Sequence, residues 1–184
     1  GSYTEVEEDR KVYTDVEYDS NATYSQNVYT GYTYVRVDKP NAKVPANDDL
    51  VINLYYDRVT YDYVINYHYQ DIVEVTSESN TAKYHETVTV TNDMINSHNI
   101  IGYKYSHTNP ESKSIVIETT GNVIDVYYVK DKFDYTVKHH LQNLDGTTYT
   151  EVVEDRVVYE DVEYGSKATY TKNEYTGYNY VRVD

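Results

Sequence analysis

The 184-residue sequence carries a formal net charge of 16 − 31 = −15, with no Cys, no Trp and 26 Tyr. So acidic a chain lacks the basic surface that nucleic acid or an anionic membrane demands, and without Cys it has neither a disulfide staple nor a thiol nucleophile. No apolar run of 18 residues occurs, Gly1-Ser2 reads as the scar of a removed tag, and strand formers (Tyr, Val, Thr) outweigh helix formers.

The first element in chain order is a block, residues 3–38, that returns as residues 149–184 at an offset of 146 with 27 of 36 residues identical. Both copies begin YTEV, pass through EDR and DVEY, and end TGY-x-YVRVD. In the final seven residues Tyr32, Tyr34 and Arg36 alternate with Val35 and Val37, as Tyr178, Tyr180 and Arg182 alternate with Val181 and Val183. Period two predicts strands with Tyr and Arg on one face and Val on the other. If the Val side is core, the Tyr/Tyr/Arg face is the candidate ligand surface, because flat rings stack on sugar rings and phenols bond their hydroxyls. The plainer reading is that these Tyr pack across neighbouring strands or repeats, and the abundance of Tyr along the whole chain favours it.

Residues 51–70, VINLYYDRVTYDYVINYHYQ, return 72 residues later as residues 123–142, VIDVYYVKDKFDYTVKHHLQ. In the first run Ile52, Leu54 and Tyr56 share a face, as do Ile124, Val126 and Tyr128; in the second, Tyr61, Tyr63, Ile65, Tyr67 and Tyr69 match Phe133, Tyr135, Val137, His139 and Leu141. The first run closes one repeat and the second opens the next. No Gly or Pro interrupts either passage, so the junction around Asp57–Val59 is expected as extended chain, 20 residues spanning roughly 65 Å at about 3.3 Å each.

Between these stretches the middle unit predicts a strand over residues 85–90 and a single helical turn near 92–98 capped by Asn92. A strand then follows Gly102-Tyr103, and a hairpin runs from residues 114–119 through Gly121-Asn122 to 123–129. Ser77–Asn80 is expected in a loop. In the last unit a strand over 133–141 turns at Asp145-Gly146 and returns over 149–159, ahead of a polar segment at 160–169. A Gly-Tyr marker recurs at Gly31-Tyr32, Gly102-Tyr103 and Gly177-Tyr178. The chain therefore divides into a partial repeat (1–57) lacking its opening strand, a complete repeat (58–130) and a partial repeat (131–184) lacking its closing strand. Either the tail of one molecule complements the head of the next, a head-to-tail contact that need not close, or each partial unit is sufficient by itself.

The sequence offers little chemistry. His139 and His140 are adjacent on a strand and so face apart, and His85-Glu86 lacks the second His of a helical zinc motif. Neither a catalytic nor a metal site is expected, and no cofactor. The acidic runs at Glu7-Glu8-Asp9, 151–155 and 143–145 are candidate Ca²⁺ ligands without the alternating spacing of an EF-hand loop; a solvated face that discourages edge-to-edge aggregation is the simpler reading.

The words YTVKHHLQNLDGT (135–147), TYT followed by TGYNYV (169–181) and VINLYY (51–56), in this order around the repeat, resemble the MucBP (mucin-binding protein) repeat of Gram-positive cell-surface proteins. The resemblance implies a mainly β chain of tandem small β-grasp-like (ubiquitin-like) repeats with little helix. It also implies an extracellular, cell-wall-attached adhesin whose anchor lies outside these residues. Host glycan, mucin or a surface protein would be the partner of an elongated rod; the alternative is a stalk that binds nothing and self-associates head-to-tail. No nucleic acid, membrane insertion or catalysis belongs to this reading.

Overall fold

The computed structural model describes residues 2–47 and 49–183; Gly1 of the expected scar, Asp48 and Asp184 lie outside the described residues. Among those described, the chain is mainly β, with twelve strands, one α-helix and two short 3-10 turns. Strand β1 (Tyr32–Val37) pairs antiparallel with β2 (Leu54–Arg58). After the single residue Val59 comes β3 (Thr60–Tyr69), then β4 (Thr76–Lys83), β5 (Thr87–Thr89), helix α1 (Asn92–Ser97), β6 (Tyr103–Asn109), β7 (Ser114–Val116) and β8 (Val123–Lys130). After the single residue Asp131 follow β9 (Lys132–Val137), β10 (His140–Gln142), β11 (Tyr149–Glu151) and β12 (Val157–Glu163).

The largest sheet has the order β4-β3-β8-β6, and four ribbons pair β1 with β2, β5 with β7, β9 with β12 and β10 with β11. In the central pair Val64 donates to Asn122 O and Gln70 to Tyr128 O, so partners advance together along both strands. Strands β3 and β8 are therefore parallel, which requires the long crossover that carries α1.

Internal contacts divide the chain into two compact units. One comprises Gly1–Ile65, Glu78–Thr89 and Ser114–Ile124; the other comprises Asn66–Ser77, Val90–Lys113 and Asp125–Asp184. Ile65, Tyr84, Ile117 and Ile124 are the buried apolar residues of the first. The second buries Tyr67, Val90, Ile95, Val126 and Tyr128. Each such side chain contributes about 1.5–3 kcal/mol relative to exposure. Five of these nine fall on the period-two faces read from the sequence, Ile65 and Tyr67 in β3 and Ile124, Val126 and Tyr128 in β8. Every fully buried apolar residue among those described lies between Ile65 and Tyr128.

Four local expectations are corrected. Thr91, not Asn92, caps α1: its backbone is extended and its hydroxyl accepts from Met94 N at 3.3 Å. Ser77–Asn80 lies inside β4, an exposed edge strand whose polar side chains hide its pairing; the turn falls at Gln70 and Asp71, the latter at φ +61°. Strand β7 pairs with β5 instead of folding back on β8. Asn122 is no hairpin corner but a buried clamp: its carboxamide accepts from Glu118 N and donates to Glu118 O and Asp62 O. Finally, residues 157–163, partly expected as a polar segment, form β12, which bulges between Tyr159 and Val162. No helix among the described residues is long and apolar enough to cross a membrane.

Candidate functional site

Two single-residue joints link a closing strand to an opening strand, and both are bonded through their backbone. Val59 N–H donates to Gly31 O and Val59 O accepts from Tyr84 N–H, each at 2.8 Å. At the second joint Asp131 N–H donates to Gly102 O and Asp131 O accepts from Tyr164 N–H, again each at 2.8 Å. The ring of the third residue then lies flat against the glycine. A Cβ on Gly31 would stand 2.1 Å from Tyr84 Cδ1, and one on Gly102 would stand 2.2 Å from Tyr164 Cδ1. Both glycines hold positive φ, +77° and +85°, where an L side chain is strained even with room.

Further rings close each socket edge-on. Tyr32 and Tyr61 meet Tyr84 at centroid distances of 5.8 and 6.2 Å. Tyr103 and Phe133 meet Tyr164 at 6.2 Å each. Such contacts add about 0.5–1.5 kcal/mol per pair beyond buried area. Burial pushes the Tyr84 phenol up in pKa. At the second joint the Lys104 ammonium, 2.8 Å from Asp131, and the Lys132 N–H hold the Asp131 carboxyl below the usual range. Opening either joint means breaking two backbone hydrogen bonds and uncovering a ring, and at the first joint Asp57 and Arg58 are extended chain within β2.

The sequence-predicted Tyr/Tyr/Arg face is divided by a bulge. Tyr34 stands opposite Tyr56 but Arg36 stands opposite Tyr55, leaving Val35 as the extra residue. Successive residues of β2 face apart, so Tyr34 and Arg36 lie on opposite sides of the ribbon. Tyr34 meets Tyr56 edge-on at 5.7 Å, and the Arg36 guanidinium covers the Tyr55 ring at 3.8 Å. Val35, expected in the core, is 46% exposed. Of the second set, Tyr178, Tyr180 and Arg182 lie outside any strand. Tyr178 N–H closes a turn onto Tyr175 O at 3.0 Å, and the Lys172 ammonium sits 3.9 Å over the Tyr180 ring.

Each acidic run has at least one carboxylate engaged within the chain. Asp9 accepts from Tyr29 OH at 2.6 Å and Asp155 from Tyr175 OH at 2.5 Å, the same bond in both copies of the repeated block. Arg10 binds Glu5 and Arg156 binds Glu151, each at 2.7 Å, also the same pair. Asp145 accepts from the Thr148 hydroxyl and from the Thr148 and Thr147 N–H groups, which holds its pKa at about 2. Among the described residues no group of three His, Asp or Glu is placed to hold a metal ion.

The remaining polar cluster surrounds Tyr127, which lies between His68 and His107 at ring-centroid distances of 4.7 and 4.6 Å. Asp125 Oδ1 is 2.8 Å from His68 Nε2 and accepts from Asn66 Nδ2 at 2.9 Å. This stack borders an open depression of about 340 Å³ that includes Gln70, Val73 and Val75. A second, of about 410 Å³, lies beside the joint at Tyr164 and is lined by Ile101, Phe133, Tyr135 and Val162.

The sequence marked Gly31 and Gly102 but not the rings that cover them. DVEY places Tyr164 at a fixed point of the repeated block, whereas Tyr84 sits in AKYH, whose unlike neighbours conceal the equivalence. No family model matches the chain, and no curated protein sequence matches it.

Proposed function

We propose that this chain belongs to the repeat region of a Gram-positive cell-surface adhesin of the MucBP type, held at the cell wall by sequence outside these residues, and that its repeats serve as a stalk. The observation that carries this reading is the Gly–joint–Tyr arrangement, built twice at successive repeat boundaries from different surrounding sequences. A protein that must project a contact from a surface gains from boundaries that resist bending. The order β4-β3-β8-β6, with its parallel central pair and a helix in the crossover, supports a β-grasp-like repeat over residues 58–130. Repetition of such units through locked joints gives a rod. Donor and acceptor dyes at Ser2 and Val183 test this: the parent chain gives a narrow distance distribution, and Tyr84→Ala with Tyr164→Ala a broad one. Equal breadth in both chains removes the stalk reading.

A second reading is favoured by the partial exposure of Tyr32, Tyr178 and Tyr180, 40%, 47% and 52%. On it, Tyr32, Tyr34, Arg36, Tyr178, Tyr180 and Arg182 contact host glycan, in two or more separate patches because the bulge parts Tyr34 from Arg36. Glycan-array binding that free sugar competes away, and that Tyr32→Ala or Tyr178→Ala weakens without lowering Tm, supports it; a flat array removes it.

A further inference from the structure

We propose that the outer edge of β4 is a pairing surface for β4 of a second copy of this chain, and that Asn80 and Glu86 hold it shut. Strand β4 stands at one end of the order β4-β3-β8-β6, and all its residues but Ala82 are exposed. An edge of this kind is a template for another strand unless the protein blunts it. In the last unit the matching strand is blunted by charge and shape: β12 carries Glu160, Asp161 and Glu163 and bulges between Tyr159 and Val162. Strand β4 corresponds to β12 because Tyr84 and Tyr164 follow them directly. It contains one Glu and one Lys, hence no net charge to repel its own kind, and no Pro.

The end of β4 shows which of its backbone groups face outward. Tyr84 N–H, one residue past β4, donates to Val59 O, one residue before β3, so the even-numbered residues turn toward β3. Backbone groups alternate along a strand, which turns Ser79, Thr81 and Lys83 to the outer edge. Thr81 N–H donates to Asn80 Oδ1 at 3.0 Å. Lys83 N–H donates to Glu86 Oε2 at 3.1 Å, and Lys83 O accepts from Glu86 N–H at 2.8 Å. Glu86 is fixed in turn by its neighbours: Ile117 N–H donates to Glu86 O at 2.9 Å, His85 N–H donates to Ile117 O at 2.8 Å, and Ile117 is buried. Ser20 and Ser166 stand where Glu86 stands in the other two copies, closing the same turn onto Glu17 O and Glu163 O. A serine has no carboxylate to reach back to the strand, so the Glu86 cap belongs to the copy whose strand lacks charge.

The occupant that fits this edge is its own copy. In the two-fold antiparallel register that sets Asn80 opposite Asn80, Ser79 of each chain pairs with Thr81 of the other, and Lys83 extends the ladder at both ends. Each of those bonded pairs needs the N–H of Thr81 or of Lys83, and a side chain now holds both. Two side chains thus occupy the groups that an incoming strand would use, where β12 relies on repulsion. Main-chain bonds would supply the affinity once the caps are gone, as in strand addition generally.

Sedimentation velocity of the full chain in about 1 M NaCl, where charge repulsion is screened within about 3 Å, tests this. The parent chain sets the reference mass at each concentration. Asn80→Ala with Glu86→Ala gives a mass that climbs above it, toward twice the parent value, while amide exchange at Ser79 and Thr81 slows with concentration. Both side chains are exposed, so removing them leaves the core as it is. Glu86→Gln alone keeps an oxygen for Lys83 N–H and holds the parent mass, which separates the cap from the charge. Adding Ser79→Pro to the double variant restores the parent mass, because this proline removes an outward N–H that β3 does not use. A double variant that stays at the parent mass overturns the proposal. So does association that survives Ser79→Pro or arises with Glu86→Gln alone. Exchange at Ser79 that slows with concentration in the parent chain overturns it too, since the caps then exclude nothing.

Discussion

Two pairs of near-identical segments adopt different structures in one chain. YTYVRV at Tyr32–Val37 is a strand, whereas YNYVRV at residues 178–183 is not. Conversely VVYEDVE at Val157–Glu163 is a strand, whereas KVYTDVE at residues 11–17 is not. In each pair the strand occurs where a partner stands opposite, β2 for the first and β9 for the second. The residues that differ, Thr33 against Asn179 in the first pair and Lys11 against Val157 and Thr14 against Glu160 in the second, are too few to reverse the outcome. Propensity prepares a segment for the pleat, but the ladder needs another backbone to receive its N–H and C=O groups.

What does not depend on a partner strand is common to both copies. The 3-10 turns at Glu7–Asp9 and Val153–Asp155 match, as do their Tyr–Asp bonds and Arg–Glu pairs. Asp15 and Asp161 both hold φ +57°. Contacts made inside the repeated block are thus common to both copies, and contacts with a strand outside the block are not.

The largest effect that would sharpen this contrast comes from the glycines. Gly31→Ala and Gly102→Ala each combine left-handed strain of about 1–2 kcal/mol with a clash against a packed ring, about 3 kcal/mol together. Gly177→Ala meets nothing and should cost only the strain. Urea denaturation of the three variants measures the difference, and equal losses would mean that Gly177 is covered in solution.

Next, Tyr56→Ala removes the ring that meets Tyr29 and Tyr34 and should cost about 2 kcal/mol, with amide protection lost along β1. Tyr180→Ala, at the position matching Tyr34, should cost about 0.5 kcal/mol. A comparable loss for both would place a strand against residues 178–183 and break the comparison.

The same pairing in the middle repeat supplies a pH test. Burial pushes the Tyr128 phenol up to about 12, and its hydroxyl donates to Ile95 O at 2.6 Å. The fold therefore favours the neutral phenol. This stabilisation is fully present below pH 10 and is lost as pH rises from 10 through about 12. Tm against alkaline pH should fall in that window, and Tyr128→Phe should flatten the fall.

The smallest effect concerns Asp145, at the turn that leads into the second copy. Its pKa is lowered from 3.8 to about 2 by bonds to Thr148 and Thr147, so its contribution is complete above pH 3.8 and is lost as pH falls through about 2. The Thr147 and Thr148 amide resonances should shift in that range, and Asp145→Asn should hold them nearly constant.

Period two was legible wherever one face of a strand is buried, as at Ile124, Val126 and Tyr128, because burial imposes the alternation. It was illegible in β4, whose TSESNTAK has almost nothing to bury and is a strand only through its pairing in the sheet. The bulges at Val35 and Ser106 left no mark either, and a single inserted residue moved Arg36 off the face assigned to it. Gly121-Asn122 misled for a different reason. Asn favours turns and buried clamps alike through the same carboxamide, and only the neighbouring Glu118 and Asp62 backbone decides between them.

The sequence by itself determined the repeats, the buried faces of β3 and β8, the glycines before Tyr32 and Tyr103 and the short-range turns that both copies share, because these depend on side chains and backbone freedom close along the chain. The tertiary structure decided which repeated segments are strands, which ring fills each glycine socket and on which side of a ribbon each Tyr stands. Those outcomes depend on groups dozens of residues away, and a backbone hydrogen bond forms only when its partner arrives.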